Sequence, residues 1–308
     1  MNWIKVFAPA SIGNIGPGFD VLGLAIDTLG DTIQAKKIDE SIVISEITGF
    51  DGLPKEADKN TVSIAASEVL KKLGINEGIE FKIEKGIPPG SGLGGSASSA
   101  AAGAFAANYL YGEKFSKKEL IGPATTAEAF VSGGYFADNT APSLLGGATL
   151  TREKHPLDIV SLGNIDELLV VIVCPDFKLL TKKAREVLPK NVPMKSFISN
   201  MANACLIASA FSKNDYNLFS RCINDEIIEP ARASLIPGFL NVKKSALDAG
   251  ADGCSISGAG PSLFAITNDK QKAEQIGKAM KESFAKSNLE SNYYVCKSHK
   301  TGTSLVKE

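Results

Sequence analysis

Between Ile79 and Lys85 apolar and polar residues alternate, "IEFKIEK", with the period of two that a half-buried strand requires. "WIKVFAPAS", "DTIQAKKID" and "SIVISEI" predict further strands in the N-terminal half. "NTVSIAASEVLKKLG" switches to helical spacing, from a cap at Asn60 or Thr61 to a stop at Gly74. "SKKELIGPATTAEAF" also reads as helical, interrupted at Pro123, and "APSLLGGATLTRE" as a turn into a strand. The second half opens on "ELLVVIVCPD", a strongly apolar strand. Helices are predicted over "MKSFISNMANACLIASAFSKND", "YNLFSRCINDEIIEPAR", "GFLNVKKSALDAGADG" and "KAEQIGKAMKESFAK". "CSISGAGPSLFAITND" reads as strand, glycine turn, strand, and "NYYVCKS" as a last strand. Helices and strands interleave without a βαβ rhythm, which predicts an α+β fold in two halves joined near residues 150–165.

One stretch breaks every period. After the strand at 79–85 comes "GIPPGSGLGGSASSAAAGAFAANYLYG", a bare loop running into an alanine-rich helix from about Ser96 to Tyr111. Such a loop can turn its amides inward around an anion, and a helix starting directly after it adds unpaired donors and a partial positive charge. Ser96, Ser98 and Ser99 stand at the helix start, for capping or for a metal ion. Ala97, Ala100, Ala101, Ala104 and Ala107 predict a central helix against which other backbones pack closely. Gly90, Gly92 and Gly95 satisfy G-x-G-x-x-G, but no second strand with an acidic end follows at the distance a dinucleotide site needs. Gly90 and Gly95 fit half of a Walker loop, whose Lys and Ser/Thr are replaced by Ser96 and Ala97. A phosphate cradle and a tight packing turn both remain open on the residues alone.

Composition removes several classes. With 33 Lys plus Arg, 34 Asp plus Glu and a formal charge of -1, nothing suggests a nucleic-acid surface. No run of 18 apolar residues suggests a membrane span, and the start "MNWIKVFAPASIGNIG" lacks a secretory pattern, so a cytoplasmic protein is expected. Cys174, Cys205, Cys222, Cys254 and Cys296 form no C-x-x-C pair and read as buried free thiols. His155 and His299 are the only histidines, too few for a His-based zinc site or triad. Taken singly, Glu128 reads as a surface helix carboxylate, Lys85 as a solvated lysine or a phosphate neighbour, and Arg185 and Arg232 as surface salt-bridge partners.

"PPGSGLGGSA" (Pro88–Ala97) resembles the nucleotide loop P-x-G-x-G-L-G-S-S-A of the GHMP small-molecule kinases. Gly95 stands where that family has its first serine, and Ser96 keeps the second. "APASIGNIGPGFDVLGLAID" (Ala8–Asp27), "SGGYFADNTAPSLLGG" (Ser132–Gly147) and "LLTKKAREVLP" (Leu179–Pro189) are similar to motifs of the homoserine kinases within that superfamily. "SGAGPSLFAI" (Ser257–Ile266) is similar to its C-terminal glycine loop. The matches keep their order over most of the chain. Phe136 departs from the pattern, standing where the family has a histidine near the amino-acid substrate, and a phenyl ring cannot donate a hydrogen bond.

The resemblance implies a two-lobed GHMP fold: a ribosomal-S5-domain-2-like N-terminal lobe at 1–155 and a ferredoxin-like C-terminal lobe at 156–308, with the site between them. It implies ATP and Mg2+ as cofactors, L-homoserine as small-molecule acceptor and O-phospho-L-homoserine as product, on the way to threonine; homodimers occur in the family. The nucleotide would lie on Pro88, Pro89, Gly90, Ser91, Gly92, Leu93, Gly94, Gly95, Ser96, Ala97 and Ser98, and the metal on Ser96 and Glu128. Asn14, Asp20, Asp138, Thr181, Arg185, Arg232 and Gly258 would bind the acceptor. Asp20 or Asp138 would face its ammonium, and the two arginines its carboxylate. Asn139, Asp138, Glu128 and Ser96 form the expected catalytic group, with Asn139 at the hydroxyl and no dedicated base. Phe136 keeps a kinase of another small alcohol in view, and Gly95 a catalytically silent nucleotide-binding relative.

Overall fold

A computed structural model describes residues 2–152 and 157–306. The chain opens on β1 (Ile4–Gly13), β2 (Leu22–Ile38) and β3 (Ile42–Thr48), followed by α1 (Thr61–Leu73) and β4 (Gly78–Glu84). Then come α2 (Gly95–Leu110), α3 (Lys117–Ser132), α4 (Thr140–Leu145), β5 (Ala148–Arg152) and β6 (Asp158–Gly163). The seven-stranded first sheet runs β11-β1-β2-β4-β3, where β11 is Ser304–Leu305 near the far end of the chain, with β5 pairing β2 and β6. The long β2 pairs with β5 through Leu22–Leu24 and with β4 through Thr32–Ile38, so one strand serves both ends of the sheet. α1, α2 and α3 cover one face, and Val6, Ile33, Ile79 and Phe81 meet Val62, Val69, Leu120 and the alanines of α2 in a closed core.

The second lobe contains β7 (Leu169–Pro175), α5 (Thr181–Glu186), α6 (Met194–Lys213), α7 (Tyr216–Ser220) and α8 (Ile228–Arg232). α9 (Phe239–Asp248), β8 (Gly253–Ile256), β9 (Leu263–Thr267), α10 (Lys270–Ala285) and β10 (Ser291–Cys296) complete it. Its sheet, β10-β7-β9-β8, is antiparallel throughout. α9 and α10 pack on one face through Val242, Ile276, Met280 and Phe284. Its other face shares a core with the first lobe, where Ile12, Leu24 and Ile26 meet Val170, Ile172, Phe211 and Phe264. The chain returns at β11 (Ser304–Leu305), which pairs with β1. This is the two-lobed α+β architecture expected from the resemblance. The lobe boundary expected at 155/156, like His155, lies outside the described residues.

α1 begins where the pattern places it: Asn60 accepts a hydrogen bond from the Val62 amide, and left-handed Gly74 ends the helix. α3 is not interrupted at Pro123, because Leu120, Ile121, Ala124 and Ala127 are buried on both sides of it and tertiary packing outweighs the missing hydrogen bond. "YNLFSRCINDEIIEPAR" is two short helices, not one. Asp215 caps α7, and Asp225 accepts the amides of Ile227, Ile228 and Glu229, starting a new helix. β6 and β11 have no counterpart among the expected strands; each is short, and β11 takes its place only by pairing with a strand at the far end of the chain. All five cysteines are free: four are buried, and Cys205 is exposed on α6. Among the described residues no helix is long and apolar enough to cross a membrane.

Candidate functional site

The bare loop between β4 and α2 lines a cleft of about 570 Å³ between the lobes. Gly90, Gly92 and Gly94 have φ of 71°, 80° and 66°, a region costly for any side chain. The loop's carbonyls are turned outward and tied down. Those of Gly90, Ser91 and Leu93 accept the amides of Leu179, Ser262 and Ser11, and that of Gly92 accepts the Ser257 hydroxyl. Those of Gly94 and Gly95 accept the Ser98 amide and Lys85 Nζ. The amides of Gly90 to Gly94 find no acceptor among the described residues. Gly94 occupies the cap position of α2 without a side chain to cap it, and no acidic residue stands in the helix's first turn. The result is a row of unspent donors at a helix N-terminus, the arrangement an anion needs.

The loop is held from below by an ion pair. Lys85 and Asp31 are both buried and in contact, and Lys85 Nζ also reaches Ser99 Oγ at 2.8 Å. Asp31 accepts the Ser99 hydroxyl and the amides of Gly86 and Ile87. Lys85 is thus neither solvated nor free to follow a phosphate; it fastens the loop's entry to the first turn of α2. Asp31, missed in the sequence, carried one signal: an acid inside a strand otherwise built to pack.

Ser96 lies at the first turn of α2, facing Glu128 on α3. Glu128 is not a surface carboxylate. Its Oε2 is buried with no hydrogen-bond partner, and burial pushes its pKa up to about 7, against the opposing pull of the Ser96 hydroxyl and the charge of Lys85. An orphaned carboxylate oxygen beside a hydroxyl, in the same cleft as the row of amides, is a set of hard oxygens that would fit a Mg2+.

Next to the loop, Asp138 and Asn139 lie between α3 and α4, and a Cβ on Gly94 would stand 3.0 Å from Asn139 Oδ1. Asn139 occupies the cap position of α4 but does not cap it; its amide donates to Asp138 at 3.2 Å and accepts from Ser11 at 2.9 Å. Burial, the charge of Asp20 and the charge of Glu128 push Asp138 up to about 7, with Arg185 pulling the other way. Asn14 and Asp20 both adopt positive φ in the turn after β1, and Asn14 ties that turn across the cleft to the Gly258 carbonyl. Arg185, on α5, makes two bonds to Asp20, at 2.7 and 3.0 Å, while its Nε is buried without a partner. Arg232, on α8, is buried, donates to the Ala184 and Gly258 carbonyls, and is lowered to about 10 by burial and the nearby Arg185. Neither arginine is a surface salt bridge.

Thr181 and Gly258 also line the cleft, as do Pro89 to Gly92, Gly94, Gly95 and Ser96. Leu93, Ala97 and Ser98 face inward: Leu93 and Ala97 are core residues, and Ser98 Oγ donates to the Ala8 carbonyl. Pro88 does not line the cleft. Phe19, which sequence reasoning passed over inside its own motif, lies 5.4 Å from the Arg185 guanidinium and 5.1 Å from that of Arg232. Beyond the glycine loop the cleft turns apolar, with Ile47, Leu53, Pro54, Ile83 and Val131.

Comparison with known proteins places matches over both lobes. The GHMP kinases N terminal domain matches residues 60–147, and the GHMP kinases C terminal domain matches residues 207–286. A homoserine kinase of Chlorobium phaeobacteroides is 39% identical, covering 99% of this chain and 100% of that one. A homoserine kinase of Arabidopsis thaliana is 43% identical, covering 98% and 84%. The crystal structure of a homoserine kinase from Cytophaga hutchinsonii superposes with a TM-score of 0.94 at 44% identity, over 99% of this chain and 98% of the other.

Proposed function

The chain belongs to the GHMP kinases and, among them, to the homoserine kinases, and from this we propose that it transfers the γ-phosphoryl group of ATP to the side-chain hydroxyl of L-homoserine, forming O-phospho-L-homoserine. The observation that carries this reading is the polarity of the loop at 90–94, carbonyls tied back and amides unspent, opening into the same cleft as two arginines and a buried carboxyl.

Phosphoryl transfer is chiefly positioning and charge neutralisation. The amides of Gly90 to Gly94 and the first turn of α2 hold the triphosphate, and the apolar end beside Ile47, Leu53 and Val131 receives the base. Ser96 and Glu128 would hold Mg2+, which would supply charge neutralisation for the phosphoryl groups. Pairing with Arg185 satisfies Asp20, so Asp138, with no cation bonded to it, is the acceptor for the substrate's ammonium. The carboxylate meets the terminal N–H groups of Arg185 that Asp20 leaves free and the remaining Nη of Arg232. Asn139, steadied by Ser11, orients the hydroxyl. The hydroxyl oxygen bonds to the γ-phosphorus, the bond to the β-phosphate bridging oxygen breaks, ADP leaves, and the hydroxyl proton passes to a phosphoryl oxygen. These chemical demands suit a protein in a cell interior supplied with ATP.

The test is ADP release coupled to an indicator reaction, with Mg-ATP and L-homoserine, run beside a panel of hydroxy-amino acids and polyols. Homoserine-dependent turnover with the highest kcat/KM of the panel is expected. ATP binding without turnover, or preference for a polyol, overturns the reading.

A further inference from the structure

Arg185 is held from several directions, and one of them is a ring. Asp20 takes both terminal nitrogens of the guanidinium in its plane. Phe136 covers a face, with the guanidinium carbon 3.9 Å from the ring centroid, well within the range in which an aromatic quadrupole attracts a cation. Phe19 stands at 5.4 Å and links Arg185 to Arg232. What remains is the second hydrogen on each terminal nitrogen, and Nε, which is buried without a partner. The contact spans the cleft: Phe136 follows α3 of the first lobe, and Arg185 sits on α5 of the second.

The backbone beneath Phe136 is shaped to admit its ring. A Cβ on Gly134 would stand 2.1 Å from Phe136 Cε2 and 2.8 Å from Cδ2, so any side chain there displaces the phenyl group. Gly134 and Phe136 therefore act together, the first by leaving room and the second by filling it. A planar, weakly hydrated guanidinium gains from stacking on a ring in addition to the cation–ring attraction that an ammonium also feels. Without the ring, the Asp20 pair alone fixes the guanidinium's plane poorly, because two bonds to one carboxylate leave it free to tilt about the line joining them.

We propose that Phe136 is a specificity-setting positioning residue: stacked on Arg185, it holds the guanidinium so that its remaining terminal N–H groups face the acceptor's carboxylate across the cleft, and thereby makes the site prefer amino-acid alcohols to alcohols lacking that carboxylate. This rests on the function proposed above. Where a hydrogen-bonding side chain at 136 would touch a substrate itself, the phenyl ring touches the arginine that does.

The experiment compares wild type, Phe136→Leu, Phe136→Tyr and Gly134→Ala on L-homoserine and on the corresponding amino diol, whose carboxylate is reduced to hydroxymethyl. Phe136→Leu keeps apolar bulk and removes the ring. It is expected to raise KM for homoserine about 5- to 30-fold, the range a partly desolvated cation–ring contact supports. The preference for homoserine over the diol falls by the same factor, and KM for ATP stays within about twofold, since the ring lies outside the phosphate loop. Phe136→Tyr keeps the preference, and Gly134→Ala loses it as Phe136→Leu does. In an Arg185→Met background, which leaves the ring no cation to face, Phe136→Leu adds less than about twofold, because its effect passes through the guanidinium. If Phe136→Leu leaves the homoserine-to-diol preference unchanged, or raises both KM values alike, the ring is only packing and the inference is wrong. If the wild-type chain itself fails to turn over homoserine, the proposed function falls first and takes this inference with it.

Discussion

The parts of the cleft proposed for the phosphates and for the acceptor, its phosphate and acceptor ends, are built from different materials. The phosphate end is backbone: amides of Gly90 to Gly94 and the first turn of α2, fixed by the buried Lys85–Asp31 pair beneath them. The acceptor end is side chain: Asp138, Asn139, Asp20, Arg185 and Arg232, gathered from α5, α8 and separate turns across two lobes. Backbone donors are common to every sequence that can adopt the loop, and they recognise what all nucleotides share. Side-chain charges are particular, and they recognise what sets one acceptor apart. A defect at the first end is therefore expected to remove all activity and to cost stability, whereas a defect at the second changes which alcohol is used and at what concentration.

The sharpest way to break this contrast is to cut the clamp. Lys85→Met leaves Asp31 buried and uncompensated, with only hydroxyl and amide donors. Unfolding free energy in denaturant titrations is expected to fall by about 3–5 kcal/mol, the usual cost of removing one partner from a buried pair. Adding Asp31→Asn should recover part of that loss, since a neutral amide still accepts from Gly86 and Ile87. A loss below about 1 kcal/mol in the single variant, the range of an exposed pair, would mean that solvent reaches the clamp.

Gly92→Ala tests the same end without touching a charge. Its Cβ would lie 2.6 Å from the carbonyl oxygens of Ser257 and Gly260, at a φ of 80°. Both the clash and the strain force the loop off the C-terminal glycine turn, where Gly92 O now accepts the Ser257 hydroxyl. Mg-ATP affinity, measured by calorimetry, is expected to fall by roughly 100-fold, corresponding to ~3 kcal/mol of lost positioning. Retained nucleotide affinity together with weakened acceptor binding would reverse the assignment of the two ends.

The same division decides which parts of the molecule are legible in the amino-acid sequence. A loop whose function lies in glycine φ angles announces itself in composition, and its place between strand 79–85 and the alanine helix is legible because both neighbours have clear periods. α1, β7, α6 and α10 are legible for the same reason. Asp138, Arg185 and Arg232 stand out only because their motifs resemble a family's. Nothing in "TKKAREVLP" says that Arg185 will meet Asp20, 165 residues earlier. Glu128 reads as a surface residue on its own helix, and only α2 packed across it turns Oε2 into a buried, unpartnered oxygen. Lys85 misleads in the opposite direction, because a lysine ending an alternating strand gives no sign that an aspartate waits below it. Short elements such as β6 and β11 exist by pairing, and pairing across long separations has no local signature.

Asp138 gives the smallest and most discriminating test, since it separates binding from chemistry within the acceptor end. Its carboxyl is raised to about 7 by burial and by Asp20 and Glu128. Binding an ammonium needs the ionised form. At saturating Mg-ATP, with Glu128's charge engaged and no longer pushing Asp138 up, kcat/KM for homoserine should rise with pH and level off by about 7, while kcat, which reports the occupied site, stays flatter. Asp138→Asn should erase that limb and raise KM about 10- to 100-fold with a smaller change in kcat, since it loses a charged contact of ~1.4–2.7 kcal/mol. A collapse of kcat at unchanged KM would instead make Asp138 the base that takes the hydroxyl proton. Stability should move the opposite way to activity. A carboxyl whose folded pKa is raised binds more protons folded than unfolded, so between the ordinary carboxylate range and about pH 7 the wild-type fold loses stability as pH rises. Asp138→Asn carries no charge to desolvate and escapes that loss. At about pH 8 it should therefore be the more stable protein, by on the order of 1–3 kcal/mol, with the gap closing toward about pH 4. Parallel melting curves at the two pH values measure it, and a gap that fails to shrink on acidification would show that burial of an ionised group is not what Asp138 costs the fold.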